Sequence, residues 1–172
     1  MSALAPRKIA LLFLIDHSLN NDGDASTPAV PRVLLGLKKT SFGAGKFVGV
    51  GGHIEAGETP SAAAVREMSE EAGVLVREGD LRPAGIIRFR FPNLAEWNMD
   101  TWLFTAETWH GTPEESEELV PEWFALDRLP LDRMWQDAEH WVPRIATGDT
   151  VDLTITMARD NEGIDHVFDA GA

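Results

Sequence analysis

GHIEAGETPSAAAVREMSEEAGV, residues Gly52–Val74, is the stretch on which the reading of the fold turns. Thr59-Pro60 has the chemistry of a helix start: Thr59 suits the N-cap, and Pro60 suits the first helical position, where a missing N–H is harmless. Gly73, after Ala72, suits a left-handed C-terminal cap. A helix over 60–72 brings Glu67, Glu70 and Glu71 within an arc of about 100°. Val65, Met68 and Ala72 form a second stripe, centred roughly 130° away. The helix therefore has a core face and a separate carboxylate face. Three carboxylates this close repel one another, and a divalent cation offsets that best. Magnesium takes oxygen ligands and keeps some of its waters, which leaves room for phosphate oxygens and a nucleophilic water. A solvated acidic face accounts for three glutamates taken alone. It does not account for Gly51-Gly52 ahead of the helix, or for Glu58 in the turn. Nor does it account for Arg66 beside Glu67, a residue suited to holding a carboxylate in place.

Outward from this stretch, strands and loops alternate. Lys8 to Ile15 is an uninterrupted apolar run that stops at Asp16, as a buried strand does. Residues 1–7 read as a tail and 17–31 as a loop insertion rich in Ser, Asn, Asp, Gly and Pro. Arg32 to Leu37 is a second strand, able to form a hairpin with the first. Phe47 to Val50 is a short strand that runs into Gly51-Gly52. Leu81 to Phe91 and Met99 to Thr108 read as two strands of a meander, and Glu122 to Leu126 as another short strand. Trp135 to Ile145 has helical spacing. Val151 to Met157 and Ile164 to Phe168 alternate as a C-terminal hairpin. The order of strands with two helices predicts a mixed α/β domain spanning 1–172.

Composition narrows the function. The chain has 172 residues, a formal net charge of −13 and no cysteine. Disulfide and thiol chemistry are excluded, and a cytoplasmic location is the default expectation. No apolar run is long enough to cross a bilayer, so no membrane partner is expected. A surface this acidic repels a nucleic-acid backbone, and stable nucleic-acid binding is not expected. It also repels a free triphosphate, so a phosphate-bearing small molecule needs cations as a bridge.

The spacing of the stretch resembles the signature of the Nudix hydrolases. That signature is a Gly, five residues, a Glu, seven residues, Arg-Glu, an aliphatic residue, any residue, Glu-Glu, any residue, Gly and an aliphatic residue. Gly52, Glu58, Arg66, Glu67, Met68, Glu70, Glu71, Gly73 and Val74 stand at every specified place. The resemblance implies an α/β/α sandwich with a mixed central sheet and a catalytic loop-helix-loop. It implies magnesium, or manganese, on Glu67, Glu70 and Glu71, with the carbonyl of Gly51 as a backbone ligand. It also implies a Glu58–Arg66 ion pair bending the loop onto the helix. One of Glu67, Glu70 and Glu71 would activate the attacking water, and the spacing does not say which.

The stretches RVLLGLKKTSFGAGKF, GTPEESEELVPEWF and LDRMWQDAEHWVP extend the likeness. They resemble a MutT-like branch that degrades oxidised purine nucleoside triphosphates. That branch implies a further metal contact at Glu118 and a phosphate-side lysine at Lys38. It implies an apolar base pocket drawing on Phe42, Phe89, Phe91, Met99, Trp135 and Trp141, and a base-reading acid at Asp137. Three places depart from it, one of them Gln136, which follows Trp135 where the branch has Trp-Pro. Val48 stands where the branch has a pocket-floor Asn, and Ala138 where it has a second acid. The stacking wall is kept and the base reading altered. The leading expectation is a nucleoside triphosphate pyrophosphohydrolase releasing a monophosphate and pyrophosphate. The alternatives are a Nudix enzyme acting on a dinucleotide, nucleotide sugar or capped RNA, and a nucleotide sensor without turnover. Trp97, Trp102, Trp109 and Trp123 read as core or sheet surface, His53 as surface, and Arg88 and Arg90 as a solvated basic face.

Overall fold

The computed structural model describes residues 3–18 and 30–172. Most of the loop insertion at 17–31 lies outside them. The first strand, β1 (Arg7–Asp16), is apolar on both sides because both sides are covered. Its Ala10, Leu12 and Leu14 pack with one group of buried residues, and Phe13 and Ile15 with another. Along one edge β1 pairs in parallel with β6 (Met99–Ala106). The other edge is shared. Strand β4 (Val50–His53) takes Ile9 to Leu12, and β2 (Arg32–Lys38) takes only Ile15 and Asp16. The first two strands do pair antiparallel, as a hairpin would, but over one end alone.

Strand β2 then pairs with β3 (Phe47–Val48) and with β7 (Leu119–Ala125). Strand β7 begins three residues before the predicted Glu122, since Leu119 is buried and pairs with Lys38. Beyond β6 the sheet continues through antiparallel β5 (Arg82–Arg90), parallel β8 (Val151–Met157) and antiparallel β9 (Ile164–Asp169). The sheet is mixed, and the C-terminal hairpin is present. Arg88 and Arg90 are not a free basic face. Arg88 pairs with Asp152 at 2.6 Å and Arg90 with Asp100 at 2.9 Å, each across to a neighbouring strand.

Helix α1 (Pro60–Ala72) covers one face of the sheet. Thr59 is extended, and its Oγ1 accepts from the Ala62 N–H at 3.2 Å. Gly73 closes the helix at φ 68° and donates to the Ser69 carbonyl at 3.1 Å. Ala63, Ala64, Met68 and Ala72 are buried and Val65 is half-buried, so the core stripe runs slightly to one side of the expected one. On the opposite face, Trp141, Val142 and Ile145 pack over Phe13, Ile87, Leu103, Leu153 and Ile155. The result is helices on both sides of a mixed sheet.

One predicted element is corrected. The stretch 135–145 is not one helix. It is a 3-10 segment, Gln136–His140, then a break at Trp141 (φ −139°, ψ −34°), then α2 (Val142–Ala146). Pro143 has no N–H and cannot continue an α-helical ladder from Glu139. The helix therefore restarts with the proline in its first turn, where that loss is harmless.

Candidate active site

Two glycines on β4 set the floor. A Cβ on Gly51 would run into the Ala10 carbonyl on β1, so no side chain fits. A Cβ on Gly52 would lie 2.6 Å from Glu67 Oε1, so this glycine clears the space that the Glu67 carboxylate occupies.

Arg66 ties the loop to α1. Its Nε and Nη2 donate to the two oxygens of Glu58 at 2.8 and 2.9 Å, the bidentate geometry that makes such pairs strong. Nη1 donates to Glu67 at 3.0 Å and to Glu70 at 3.1 Å, and Nη2 also to the His53 carbonyl at 3.0 Å. The Arg66 guanidinium, aided by the Glu55 N–H, holds the Glu58 carboxyl down at about 2. The three helix glutamates do not stand alike. Glu67 is nearly covered, with its side chain 13% exposed, whereas Glu70 is 58% exposed and turned to Arg66.

Burial pushes the Glu67 carboxyl up, against the pull of Arg66. Glu71 is pushed up to about 7, first by burial, then by the charges of Glu67 and Glu118. Glu71 and Glu118 thus stand close enough for their carboxylates to repel each other. Glu118 is brought here by the β2–β7 pairing. Its carbonyl accepts from the Lys39 N–H at 2.9 Å, and the next residue, Leu119, sits opposite Lys38. A residue far away in the chain thus joins the helix glutamates, with Lys38 alongside.

Among the described residues no three His, Asp or Glu side chains converge, as they stand, to hold an ion. Arg66 holds Glu67 and Glu70 by hydrogen bonds. The donor chemistry still fits a hard divalent cation. Every candidate ligand is an oxygen, and the crowded Glu67, Glu71 and Glu118 carboxylates carry the repulsion that such a cation relieves. Binding requires Glu67 and Glu70 to exchange Arg66 for the cation.

The second half of the site is aromatic. The loop from Lys39 to Lys46 closes between β2 and β3, with Lys38 N–H donating to the Lys46 carbonyl at 3.0 Å. Ser41, Gly43 and Gly45 all take positive φ, and this tight path projects Phe42 outward. Phe42 stacks on Trp135 with ring centres 4.9 Å apart and planes 21° apart. Trp97 meets Phe42 edge-on at 5.0 Å, and Lys46 Nζ lies 4.6 Å from the Trp135 ring centre. Phe89 and Met99 are cross-strand partners on the sheet face covered by α2. Asp137 is buried, and its Oδ2 accepts from Trp141 Nε1 at 2.8 Å, while burial raises its pKa. Ala138 is buried beside it. Val48 does not join this group; it packs with the α1-side residues, whereas Phe47 next to it packs on the other side. Trp97 packs against the core, as read from the sequence, and also meets Phe42; Lys46 is not legible in the sequence, because a loop Lys carries no spacing signal. A cleft of about 590 Å³ lined by Ile15, Arg82, Glu107 and Asp149 contains none of the predicted site residues.

Residues 22–145 match the NUDIX domain family model. The chain is 46% identical over 112 residues to the oxidized purine nucleoside triphosphate hydrolases of Mus musculus and of Danio rerio, covering 65% of this chain and 70% of each relative. It is 35% identical over 82 residues to the 8-oxo-dGTP diphosphatase of Escherichia coli K12, covering 48% of this chain and 60% of that one. The fold is that of a MutT protein from Bacillus halodurans, with a TM-score of 0.75 at 20% identity over 96% of this chain and 99% of that one. The signature over Gly52–Val74, the layered α/β/α architecture and the family match over most of the length agree: the chain belongs to the Nudix hydrolase family.

Proposed function

We propose that this enzyme hydrolyses nucleoside triphosphates to the monophosphate and pyrophosphate, with oxidised purine nucleotides among its substrates. The observation that carries the reaction is the crowding of the half-buried Glu67 and Glu71 carboxylates with the exposed Glu118 against the glycine backbone of β4. Magnesium, with manganese as a substitute, would be held by Glu67, Glu70, Glu71, Glu118 and the Gly51 carbonyl. Such a cation, when bound, neutralises phosphate charge and makes a coordinated water a better nucleophile. Within the chain, Arg66 and Glu58 hold the loop and the helix carboxylates in register. Glu67, nearly covered and with its proton affinity raised, is suited to take the proton of the attacking water. Lys38 supplies positive charge beside the phosphates. Phe42 and Trp135 give the base a stacking surface, and Asp137 a polar contact for its edge. Kinship with the mouse and zebrafish enzymes supports the purine assignment.

The test is turnover of normal and oxidised (d)NTPs with magnesium, run in ¹⁸O-water, beside Glu67→Gln. Release of monophosphate and pyrophosphate, with label in one of the two, and a loss of about 10²-fold or more in kcat for the variant are expected. Full activity in Glu67→Gln, or no turnover of any triphosphate by the parent, defeats the assignment.

A further inference from the structure

The acidic run at 114–118 is exposed except at Ser116, yet it is fastened at several points. The Glu114 N–H donates to the Ala72 carbonyl at 2.9 Å, at the end of α1. Within the turn, the Ser116 N–H donates to the Leu119 carbonyl at 3.0 Å, and Ser116 Oγ accepts from the Glu118 N–H at 3.4 Å. Further bonds come from Lys39, the residue after the end of β2. Its N–H donates to the Glu118 carbonyl at 2.9 Å, which continues the β2–β7 pairing one step beyond Lys38 and Leu119. Its Nζ donates to Glu115 Oε1 at 2.7 Å and to the Ser116 carbonyl at 3.0 Å. The backbone bond is open to any residue with an N–H; the Nζ bonds need the lysine side chain.

An exposed ammonium with one carboxylate partner contributes little to stability, because water competes for both. Lys39 and Glu115 are exposed in this sense, with side chains 36% and 59% open. The ammonium nevertheless reaches acceptors on two consecutive residues, so it fixes the direction of the turn. It also sits among Glu114, Glu115, Glu117 and Glu118, whose charges repel one another. The turn carries Glu118, which crowds Glu67 and Glu71. Those two are half-buried and held by α1. Glu118 is exposed, so its place beside them depends on how the turn is fastened.

We propose that Lys39 is a positioning residue for the carboxylate site: by holding Glu115 and the Ser116 carbonyl it keeps Glu118 beside Glu71, so that both can share a divalent cation. This rests on the metal-dependent reading above. Lys39 acts through Glu118 and touches no cation itself. Charge alone predicts the opposite effect. Removing Lys39 takes a positive charge from the neighbourhood and frees Glu115, so a purely electrostatic role would make the variant bind cations more tightly. A positioning role makes it bind them more weakly.

The experiment titrates manganese alone, without nucleotide, and follows the free ion by electron paramagnetic resonance. It compares the parent with Lys39→Met, Lys39→Arg, Glu118→Gln and the double variant Lys39→Met/Glu118→Gln. Lys39→Met should melt within a few degrees of the parent, since the pair is exposed. It should weaken manganese binding about tenfold, the lower end of what losing a supporting contact costs a metal site. Lys39→Arg, whose guanidinium can donate to both acceptors, should bind within about threefold of the parent. In the Glu118→Gln background, Lys39→Met should change the affinity by less than about twofold. Unchanged or tighter binding by Lys39→Met overturns the proposal, as does an equal loss in the Glu118→Gln background. Either result leaves the ligand set of the proposed function standing. If Glu118→Gln binds manganese as the parent does, Glu118 is not a ligand, and this proposal falls together with that part of the reading.

Discussion

At the scale of single residues, the site depends on small groups placed against charged ones. Gly52 is the clearest case, because a Cβ there would lie 2.6 Å from Glu67 Oε1. Gly52→Ala should leave the melting temperature within a few degrees while displacing that carboxylate. Misplacing a reacting group by about 1 Å costs on the order of 100-fold, so a kcat loss of that order is expected in steady-state assays. An unchanged kcat would mean that Glu67 does not act from this position. Glu71 makes the second prediction. Its folded pKa, about 7, lies above the ordinary 4.5, so the folded state binds that proton more tightly than the unfolded one does. Its stabilising contribution is complete below pH 4.5 and is lost as the pH rises through about 7. Chelator-treated protein should therefore melt lower at pH 8 than at pH 5.5, and magnesium should raise the melting temperature more at pH 8. Glu71→Gln should shrink the gap seen without metal. The same gap in that variant would assign it to the general acidity of the chain. The signature made the glutamates, Arg66 and the glycines legible, because their spacing is local. The elevated proton affinity of Glu71 was not, since it comes from burial and from Glu118, which lies in another part of the chain.

At the scale of elements, α1 was readable to its ends because its determinants sit within one turn of each terminus. Thr59 caps it and Gly73 stops it, both by local hydrogen bonds. Thr59→Ala should cost about 1 kcal/mol, a shift of roughly 2–4 °C in melting temperature for a chain of this size. No shift in calorimetry would show that the Ala62 N–H finds another acceptor. The stretch 135–145 misled for an opposite reason. Its apolar spacing is helical, yet Pro143 forbids one continuous ladder, and backbone hydrogen bonding decided the outcome. Strand β2 shows a third pattern. Its apolar character was plain, but its division between β1, β3 and β7 is a matter of pairing that alternation alone does not encode.

At the scale of the whole molecule, the sheet separates two ends. Met99 is level with Arg7 and Gly51 with Leu11, near the start of β1, and the proposed site gathers there. The cleft at Ile15, Pro83 and Thr105 lies toward the other end of the same strands. Arg82→Ala, in that cleft, should leave kcat and KM within about twofold, since a surface change away from the site has small effects. A tenfold change in either constant would bring the cleft into the reaction. Among the described residues no helix is long and apolar enough to cross a membrane. The sequence by itself determined what depends on neighbours along the chain: the capped helix, the one-face spacing of its glutamates, the glycine turn ahead of it, and through these the family and the reaction. Only the tertiary structure decided that Glu118 meets Glu71, that Phe42 stacks on Trp135, that Val48 faces away from the aromatic group, and that Lys39 reaches Glu115 and Ser116. Those facts follow from strand register and from which face is covered. They are set by the packing of distant segments, for which a local pattern of residues carries no signal.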